Sequence, residues 1–208
     1  MKIAIQTLGC KVNQSESSSI EGSLIKKGCE IVKHSDNPDI FIVNTCSVTA
    51  KSDYQSRQII RRAIKTGAKV VATGCYAQLR PEELTEIKGL DLIIGNADKE
   101  HLYDYLSYLK SDIDRPSIII KKPASNLSML PYHSSRSRAF LKIQDGCNFS
   151  CTYCTVPRAR GNSRSLFPDD VLQSVDRIVE DGYREIVLSG IHIGAYGLDL
   201  TLPTHSYH

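Results

Sequence analysis

Three closely spaced cysteines constrain this chain more than any other feature. Cys147, Cys151 and Cys154 follow the spacing CxxxCxxC, which places three soft thiolates in one loop and suits an iron–sulfur cluster. Four thiolates would close such a cluster for electron transfer, whereas three leave one iron with a vacant position for a substrate or cofactor. Zinc is the alternative metal, but it usually takes a fourth protein ligand, and the candidate histidines His133 and His192 lie far upstream and on the next structural unit.

The N-terminal half of the chain alternates between strand patterns and helix patterns. Short runs of β-branched and aromatic residues predict four strands, at Lys2–Thr7, Ile40–Val43, Val70–Ala72 and Asp91–Ile94. Helices fit between them at Lys51–Lys65, Pro81–Ile87 and Asp98–Leu109. Alternation of this kind predicts an α/β fold with a parallel, doubly wound sheet.

A further helix is expected after the first strand. Asn13 is predicted to cap its start, with Glu16 three residues later as the capping-box partner. Ile20 and Leu24 would lie on one face, and Gly28 would end the helix.

Three more cysteines share one position in this pattern. Cys10, Cys46 and Cys75 each lie a few residues beyond the carboxyl end of a predicted strand, and in a parallel sheet those ends meet at one edge. The sequence therefore predicts a second three-thiolate site, although any one of these cysteines could be a small core residue. Cys29 sits at the start of a probable strand, and we interpret it as packing.

The composition indicates an intracellular protein. The 208 residues include 41% hydrophobic residues and carry a formal net charge of +3, so any nucleic-acid contact must come from local basic patches. The N-terminus lacks the apolar region of a signal peptide, and no stretch is long enough to span a membrane. An odd number of cysteines, seven, favours metal ligation over disulfides in a reducing compartment. We therefore expect a cytoplasmic enzyme with no membrane contact.

A change of composition separates the two halves of the chain. Residues 111–138 are rich in proline and serine, which is typical of a linker, with a short edge strand expected at Ile118–Ile120. After it, Ala139–Gln144 is predicted to form a strand that runs into the Cys147 loop, and Glu185–Leu188 a second strand.

A helix is expected between those two strands. It would start at Pro168 with Asp169 and Asp170, end at Gly182, and present the apolar residues Leu172, Val175, Ile178 and Val179. One β/α unit and the start of another, with a cysteine loop at the carboxyl end of the first strand, predict the beginning of a (β/α) barrel. Only 61 residues follow Cys147, whereas a complete barrel needs about 200 or more. We therefore expect a C-terminally truncated barrel, or one that another chain completes.

These features together resemble a known family. The CxxxCxxC loop with Tyr153 before its last cysteine resembles the radical S-adenosylmethionine superfamily. The motifs that make the chain similar to its methylthiotransferases are Thr7-Leu8-Gly9-Cys10-Lys11-Val12-Asn13-Gln14, Asn44-Thr45-Cys46-Ser47-Val48-Thr49, Thr73-Gly74-Cys75 and Val156-Pro157-Arg158-Ala159-Arg160-Gly161. The resemblance implies an N-terminal methylthiotransferase domain at 1–115, a linker at 116–138 and an incomplete radical S-adenosylmethionine core at 139–208.

The resemblance also implies a set of cofactors. Cys147, Cys151 and Cys154 would hold a [4Fe–4S] cluster that binds S-adenosylmethionine, and one electron would cleave that cofactor to start radical chemistry at C2 of an adenine. The set formed by Cys10, Cys46 and Cys75 would hold an auxiliary [4Fe–4S] cluster that carries the sulfur. Ser189-Gly190 matches the position where the superfamily binds the amino group of S-adenosylmethionine. A flavodoxin or ferredoxin would supply the electron.

Two short segments point to a substrate within the family. Gly9-Cys10-Lys11-Val12-Asn13-Gln14 and Ser56-Arg57-Gln58-Ile59-Ile60-Arg61-Arg62 are most similar to enzymes that act on N6-threonylcarbamoyladenosine next to the tRNA anticodon. The alternatives are the branches that act on isopentenyladenosine in tRNA and on a ribosomal protein. A plain iron–sulfur electron carrier and an inactive fragment that only binds a cluster or tRNA also stay open.

Two groups of basic residues are candidates for contact with the tRNA anticodon stem-loop. Arg57, Arg61 and Lys65 recur every four residues with Arg62 beside them, although a solvated helix face explains that stripe equally well. A second group surrounds the cysteine loop, where phosphate contact is the better interpretation: Arg136, Arg138, Arg158, Arg160 and Arg164.

Overall fold

The computed structural model describes residues 1–106, 109, 116–122, 127 and 137–201. Its N-terminal part contains a six-stranded sheet in which all neighbouring strands are parallel, in the order β2-β1-β3-β4-β5-β6. The strands are β1 Lys2–Thr7, β2 Glu30–Ile31, β3 Ile40–Thr45, β4 Lys69–Gly74, β5 Leu92–Ile94 and β6 Ser117–Ile119. The predicted α/β class and parallel sheet are confirmed.

Helices cover both faces of this sheet. The helices are α1 Lys11–Lys26, α2 Ala50–Ile64, α3 Cys75–Leu79, α4 Pro81–Thr85, a 3-10 helix at Asn96–His101 and α5 Leu102–Leu106. One core joins α2, α3 and α4 to the sheet, and the other joins α1 and α5 to the opposite face. All six residues of β3 are buried, because a central strand of a doubly wound sheet has helices on both sides.

The edge strand β6 belongs to this sheet. It was predicted at Ile118–Ile120 and is found at Ser117–Ile119, where Ile118 pairs with Ile93 of β5. Most of the predicted linker 111–138 lies outside the described residues, so its limits stay a prediction.

The start of α1 differs from the prediction. The helix begins at Lys11 with Cys10 at its cap position, and no side chain caps it. Asn13 and Glu16 lie inside the helix and are almost fully buried, at 1% and 5% exposure, so the predicted capping box is wrong. They are buried because one side of α1 packs against the second part of the chain, where Ser15 Oγ accepts a hydrogen bond from the backbone N–H of Lys142.

The second part of the chain contains the beginning of a parallel sheet. Strands β7 (Ala139–Lys142) and β10 (Ile186–Ser189) pair in parallel, and helix α7 (Pro168–Glu180) connects them in sequence. Between β7 and α7 lie the antiparallel pair β8 (Gln144–Asp145) and β9 (Arg164–Ser165) and the short helix α6 (Val156–Arg160). This order matches the predicted β/α unit.

The packed face of α7 is only partly as predicted. Ile178 is buried and Val171 and Val175 pack against the core of β7. Leu172 and Val179, which were predicted to share this face, are 62% and 56% exposed. In the part of the chain that the structure describes, no helix combines the length and the apolarity needed to cross a bilayer.

Candidate functional site

Cys10, Cys46 and Cys75 lie at one edge of the N-terminal sheet. They follow β1, β3 and β4, which are consecutive neighbours in the sheet. Cys46 is buried, Cys75 is half-buried and Cys10 is exposed. Burial raises the pKa of the Cys46 thiol, and the nearby Cys75 and Cys10 thiols add to that rise. The topology therefore brings the three predicted cysteines to one edge of the sheet, on three neighbouring strands.

Two glycines let the cysteine loops pack closely. Gly9 has φ +99°, and a Cβ there would lie 2.8 Å from Cys46 Sγ. Gly74 has φ +101°, and its Cβ would lie 2.2 Å from the carbonyl oxygen of Thr45. A side chain at Gly9 would collide with Cys46, and one at Gly74 would collide with the backbone just before Cys46, so both glycines let these loops approach each other. The soft thiol donors gathered here fit a thiolate-bound cluster.

The second cysteine set lies in the loop between β8 and α6. The backbone N–H of Cys147 donates to the carbonyl of Gly161 at 3.1 Å, and the N–H of Cys154 donates to that of Cys151 at 3.0 Å. Cys151 is exposed and the other two are half-buried, and all three are free thiols. The hydrogen bond between Cys147 and Gly161 thus joins the two ends of the loop, and its thiols are free for ligation.

Neither set forms a finished ligand cage. Among the residues that the structure describes, no group of three or more His, Cys, Asp or Glu side chains is arranged so that it could hold a metal ion. The fold brings the cysteine loops together, and metal binding would have to draw their thiols closer. Ligation by either set stays a prediction.

Residues close to the two cysteine sets meet at the contact between the two parts of the chain. The hydroxyl of Thr155 donates to the carbonyl oxygen of Ser47 at 3.2 Å. Asn96 Nδ2 donates to the carbonyl oxygen of Ala159 at 2.8 Å and lies 4.0 Å from Cys75 Sγ. The first contact joins residues that directly follow Cys46 and Cys154, and the second joins a residue beside Cys75 to the helix that follows the Cys147 loop.

A buried cluster of six charged side chains also crosses this contact, and we call it the ionic cluster. It consists of Glu16, Lys99, Lys142, Asp145, Arg160 and Arg164. Arg160 and Arg164 are only 1% and 9% exposed, so the prediction that they contact phosphate is wrong. Both are paired where they are buried, Arg160 with Glu16 and Asp145 and Arg164 with Asp145.

The two carboxylates of the ionic cluster are held by short ion pairs. Glu16 contacts Arg160 at 2.7 Å, Lys99 at 2.5 Å and Lys142 at 3.1 Å. Asp145 contacts Arg160 at 2.9 Å, Arg164 at 3.1 Å and Lys142 at 3.2 Å.

Burial alone would raise the pKa of both carboxyl groups in this cluster. The surrounding cations outweigh it, so they hold the pKa of Glu16 well below its ordinary value. They lower the pKa of Asp145 to about 2. Both groups are therefore charged at neutral pH.

Asn13 connects the ionic cluster to the first cysteine set. Its Oδ1 accepts a hydrogen bond from Arg160 Nη2 at 2.5 Å. Its Nδ2 donates to the carbonyl oxygens of Leu8 at 2.8 Å and Thr45 at 3.0 Å. The sequence did indicate that Asn13 and Glu16 are buried. Both lie at helical spacing on the apolar stripe that continues with Ile20 and Leu24.

Ser189 and Gly190 lie where β10 ends. Ser189 is 4% exposed and its hydroxyl donates to the carbonyl oxygen of Leu141 at 3.2 Å. Gly190 lies against Gln144, whose Oε1 accepts a hydrogen bond from the backbone N–H of His192 at 2.9 Å. Their predicted role in binding S-adenosylmethionine stays a prediction.

The other basic residues differ in how they are engaged. Arg57 donates to the Tyr76 hydroxyl at 2.6 Å, and Arg138 pairs with Glu185 at 3.2 Å. The remaining described candidates have exposed side chains: Arg61, Arg62, Lys65 and Arg158. Arg136 lies outside the described residues.

Two family models match the chain. Residues 2–95 match the Uncharacterized protein family UPF0004, and residues 141–197 match the Radical SAM superfamily. The first match includes Cys10, Cys46 and Cys75, and the second includes the Cys147 loop. The two matched segments therefore divide the cysteines as the two parts of the fold do.

Several curated proteins are similar to the chain over nearly its whole length. The threonylcarbamoyladenosine tRNA methylthiotransferase MtaB of Bacillus subtilis is 40% identical over 95% of this chain and 45% of its own length. The protein of the same name from Aquifex aeolicus is 38% identical over 96% of this chain and 50% of its own length. The tRNA-2-methylthio-N(6)-dimethylallyladenosine synthase of Clostridium botulinum is 31% identical over 94% of this chain and 46% of its own length. The chain thus spans about half the length of the curated relatives it matches.

A solved structure shares the fold. The radical S-adenosylmethionine methyltransferase TsrM of Kitasatospora setae aligns with a TM-score of 0.58 at 12% identity, over 91% of this chain and 47% of that one. At this identity the likeness concerns the fold alone.

Proposed function

Because the chain belongs to the radical S-adenosylmethionine methylthiotransferases, we propose that it forms part of an enzyme that adds a 2-methylthio group to N6-threonylcarbamoyladenosine next to the tRNA anticodon. The observation that carries this proposal is that residues next to the two sets of three cysteines contact each other. Thr155, which follows Cys154, bonds to Ser47, which follows Cys46. A single-cluster electron carrier has no need of a second thiol set beside the first.

Each set of thiols has its own task in this proposal. Cys147, Cys151 and Cys154 hold a [4Fe–4S] cluster with S-adenosylmethionine, and Cys10, Cys46 and Cys75 hold an auxiliary [4Fe–4S] cluster. When bound, these groups supply the electron that starts radical chemistry at the adenine and the sulfur that is transferred. With three protein ligands in each set, one iron in each cluster stays open to a substrate or cofactor.

The chain's own residues shield the inner side of the auxiliary site from water, while Cys10 stays exposed. Cys46 and Thr45 are 4% and 0% exposed, so water has little access to the inner side of this cysteine set. Gly9 and Gly74 let the loops approach where a side chain would collide. Exclusion of water protects radical chemistry from side reactions.

The tRNA partner is proposed to contact the exposed basic side chains. Arg61 and Arg62 extend from α2, and Arg158 extends from α6 directly after the Cys147 loop. Such contacts bind phosphates and position the RNA without distinguishing its sequence. A flavodoxin or ferredoxin is the proposed electron donor, and the cytoplasm is the proposed location.

Two observations support threonylcarbamoyladenosine over the sister substrates. The segment Lys11-Val12-Asn13-Gln14 is similar to that branch, and two proteins named for it are 38–40% identical to the chain. The protein named for dimethylallyladenosine is 31% identical.

Mass spectrometry of tRNA nucleosides tests this substrate. Cells from which the encoding gene is deleted should lose the 2-methylthio group on threonylcarbamoyladenosine and keep it on isopentenyladenosine. The wild-type gene should restore the group, whereas a gene with Cys147→Ser should not. Loss from isopentenyladenosine instead would assign the protein to the sister branch, and no change in either nucleoside would reject the proposed function.

A further inference from the structure

We infer that Arg160 and Asn13 are positioning residues that fix the loops of Cys10 and Cys46 relative to the Cys147 loop. This inference rests on the proposed function, because it assigns the two residues to the alignment of the two thiol sets. It goes beyond that function in naming side chains that ligate no metal. These side chains form a continuous hydrogen-bonded path between the two sets.

The path begins at the end of the Cys147 loop. Arg160 is the last residue of α6, the helix that starts two residues after Cys154. Its side chain leaves this helix and enters the contact with the N-terminal part, where Glu16 and Asp145 bind Nη1 at 2.7 Å and 2.9 Å. These two ion pairs fix the plane of the guanidinium group, and Nη2 is thereby directed to Asn13 Oδ1.

The path continues through Asn13 to two cysteine loops at once. The single amide nitrogen of Asn13 donates to the carbonyl of Leu8, two residues before Cys10, and to that of Thr45, directly before Cys46. Asn44 strengthens the connection, because its Nδ2 donates to the backbone carbonyl oxygen of Asn13 at 2.9 Å. Asn13 thus spans the gap between the ends of β1 and β3.

Burial makes each hydrogen bond of this path hard to replace. Asn13 and Arg160 are each 1% exposed, so water cannot replace a hydrogen bond that is lost, and an unpaired buried polar group is costly. The side chain must also accept on one side and donate on the other. Asparagine meets both demands, whereas the isosteric aspartate can only accept.

The substitution Asn13→Asp therefore tests the path with little change in shape. The carboxylate keeps an acceptor for Arg160 but directs a second oxygen at the carbonyls of Leu8 and Thr45. The two loops should then open more often. In the metal-free protein we expect the alkylation rate of Cys46 by iodoacetamide to rise about tenfold, equivalent to about 1.4 kcal/mol.

Cys29 provides an internal reference for the fold. It is also buried, at 8% exposure, but packs in the core formed by α1 and α5, away from the loops. Peptide mapping by mass spectrometry gives both rates in one sample. General unfolding would raise both rates, whereas loosened cysteine loops should raise only the Cys46 rate.

Two further variants keep the test decisive. Arg160→Lys preserves the charge beside Glu16 and Asp145 but loses the bond to Asn13, so it should raise the Cys46-to-Cys29 rate ratio even if Asn13→Asp does not fold. Ser15→Ala is the matched control, because Ser15 joins the same helix to Lys142 without touching either cysteine loop. An unchanged ratio in both path variants, or an equal rise in Ser15→Ala, would overturn the inference.

Iron binding separates this inference from the proposed function. After anaerobic reconstitution, Asn13→Asp should lose iron from the Cys10 set and keep the iron of the Cys147 set. If the wild-type protein binds no cluster at the Cys10 set, the proposed function fails, while the alkylation ratio still decides the role of the path.

Discussion

Thr155 donates its hydroxyl proton to the carbonyl oxygen of Ser47 across 3.2 Å, and each of these residues directly follows a cysteine of a different set. The bond therefore joins the carboxyl edge of the N-terminal sheet to the cysteine loop of the second part. Doubly wound sheets and (β/α) barrels both place their functional loops at the carboxyl ends of their parallel strands. Here those two edges meet.

Removal of one carboxylate from the ionic cluster should destabilise the protein strongly. Glu16→Gln leaves Lys99 and part of Arg160 buried without their carboxylate, so we expect a loss of about 3–5 kcal/mol in the free energy of unfolding. Urea titration followed by circular dichroism measures the free energy of unfolding. Glu82→Gln, on the exposed first turn of α4, is the control and should change stability by less than about 0.5 kcal/mol. A loss as small as the control's would show that the cluster adds little.

Stability should fall in acid because of Asp145. Its pKa in the folded protein is lowered to about 2, so it binds its proton less readily when folded than when unfolded. The stability it provides is complete above its unfolded pKa of about 4 and is lost as pH falls through about 2. Asp145→Asn should therefore show a smaller decrease in melting temperature between those pH values than the wild type. Parallel curves for the two proteins would contradict the ion-pair assignment.

Gly74 should tolerate no side chain. Gly74→Ala would place a Cβ 2.2 Å from the Thr45 carbonyl oxygen, whereas Gly67→Ala, at a similar φ of +81°, meets no atom within 4 Å. The Gly67 variant should lose about 1–2 kcal/mol through its backbone conformation alone. The Gly74 variant should lose clearly more and should bind less iron after reconstitution. Equal losses in the two variants would show that the close approach of the loops is unimportant.

Exposed arginines on α2 should contribute to RNA binding. The double substitution Arg61→Glu and Arg62→Glu should raise the Kd for an anticodon stem-loop several-fold at low salt, and the effect should shrink as salt increases. The double substitution Lys26→Glu and Lys27→Glu, at the end of α1, is a charge-matched control on another element. Fluorescence anisotropy measures both, and a similar change in the control would indicate only a general effect of net charge.

The sequence predicted the elements whose patterns are local. The apolar runs of β3 and β4 and the position of cysteines after strands are visible in short windows, since a buried parallel strand is a continuous apolar run. The convergence of Cys10, Cys46 and Cys75 on one edge of the sheet followed from topology alone. The structure agrees, because β1, β3 and β4 are neighbours.

The roles of Asn13, Glu16 and Arg160 could not be predicted in the same way. Asn13 and Glu16 fit a helix cap by local spacing, and Arg160 fits a phosphate contact by composition. Their true partners lie 144 to 147 residues away along the chain, so their burial depends on how the two parts of the chain pack. The helical stripe indicates that Asn13 and Glu16 are buried, but local patterns do not identify the residues that they contact.

The most direct test of the two-site account is the iron content of the anaerobically reconstituted chain. Two [4Fe–4S] clusters predict about eight irons per chain. Replacement of Cys147, Cys151 and Cys154 together by alanine should remove about half of that iron and leave the absorbance of the N-terminal cluster. Replacement of Cys29 by alanine should leave the iron content unchanged. Iron that is unaffected by the triple substitution, or zinc in place of iron, would contradict the account.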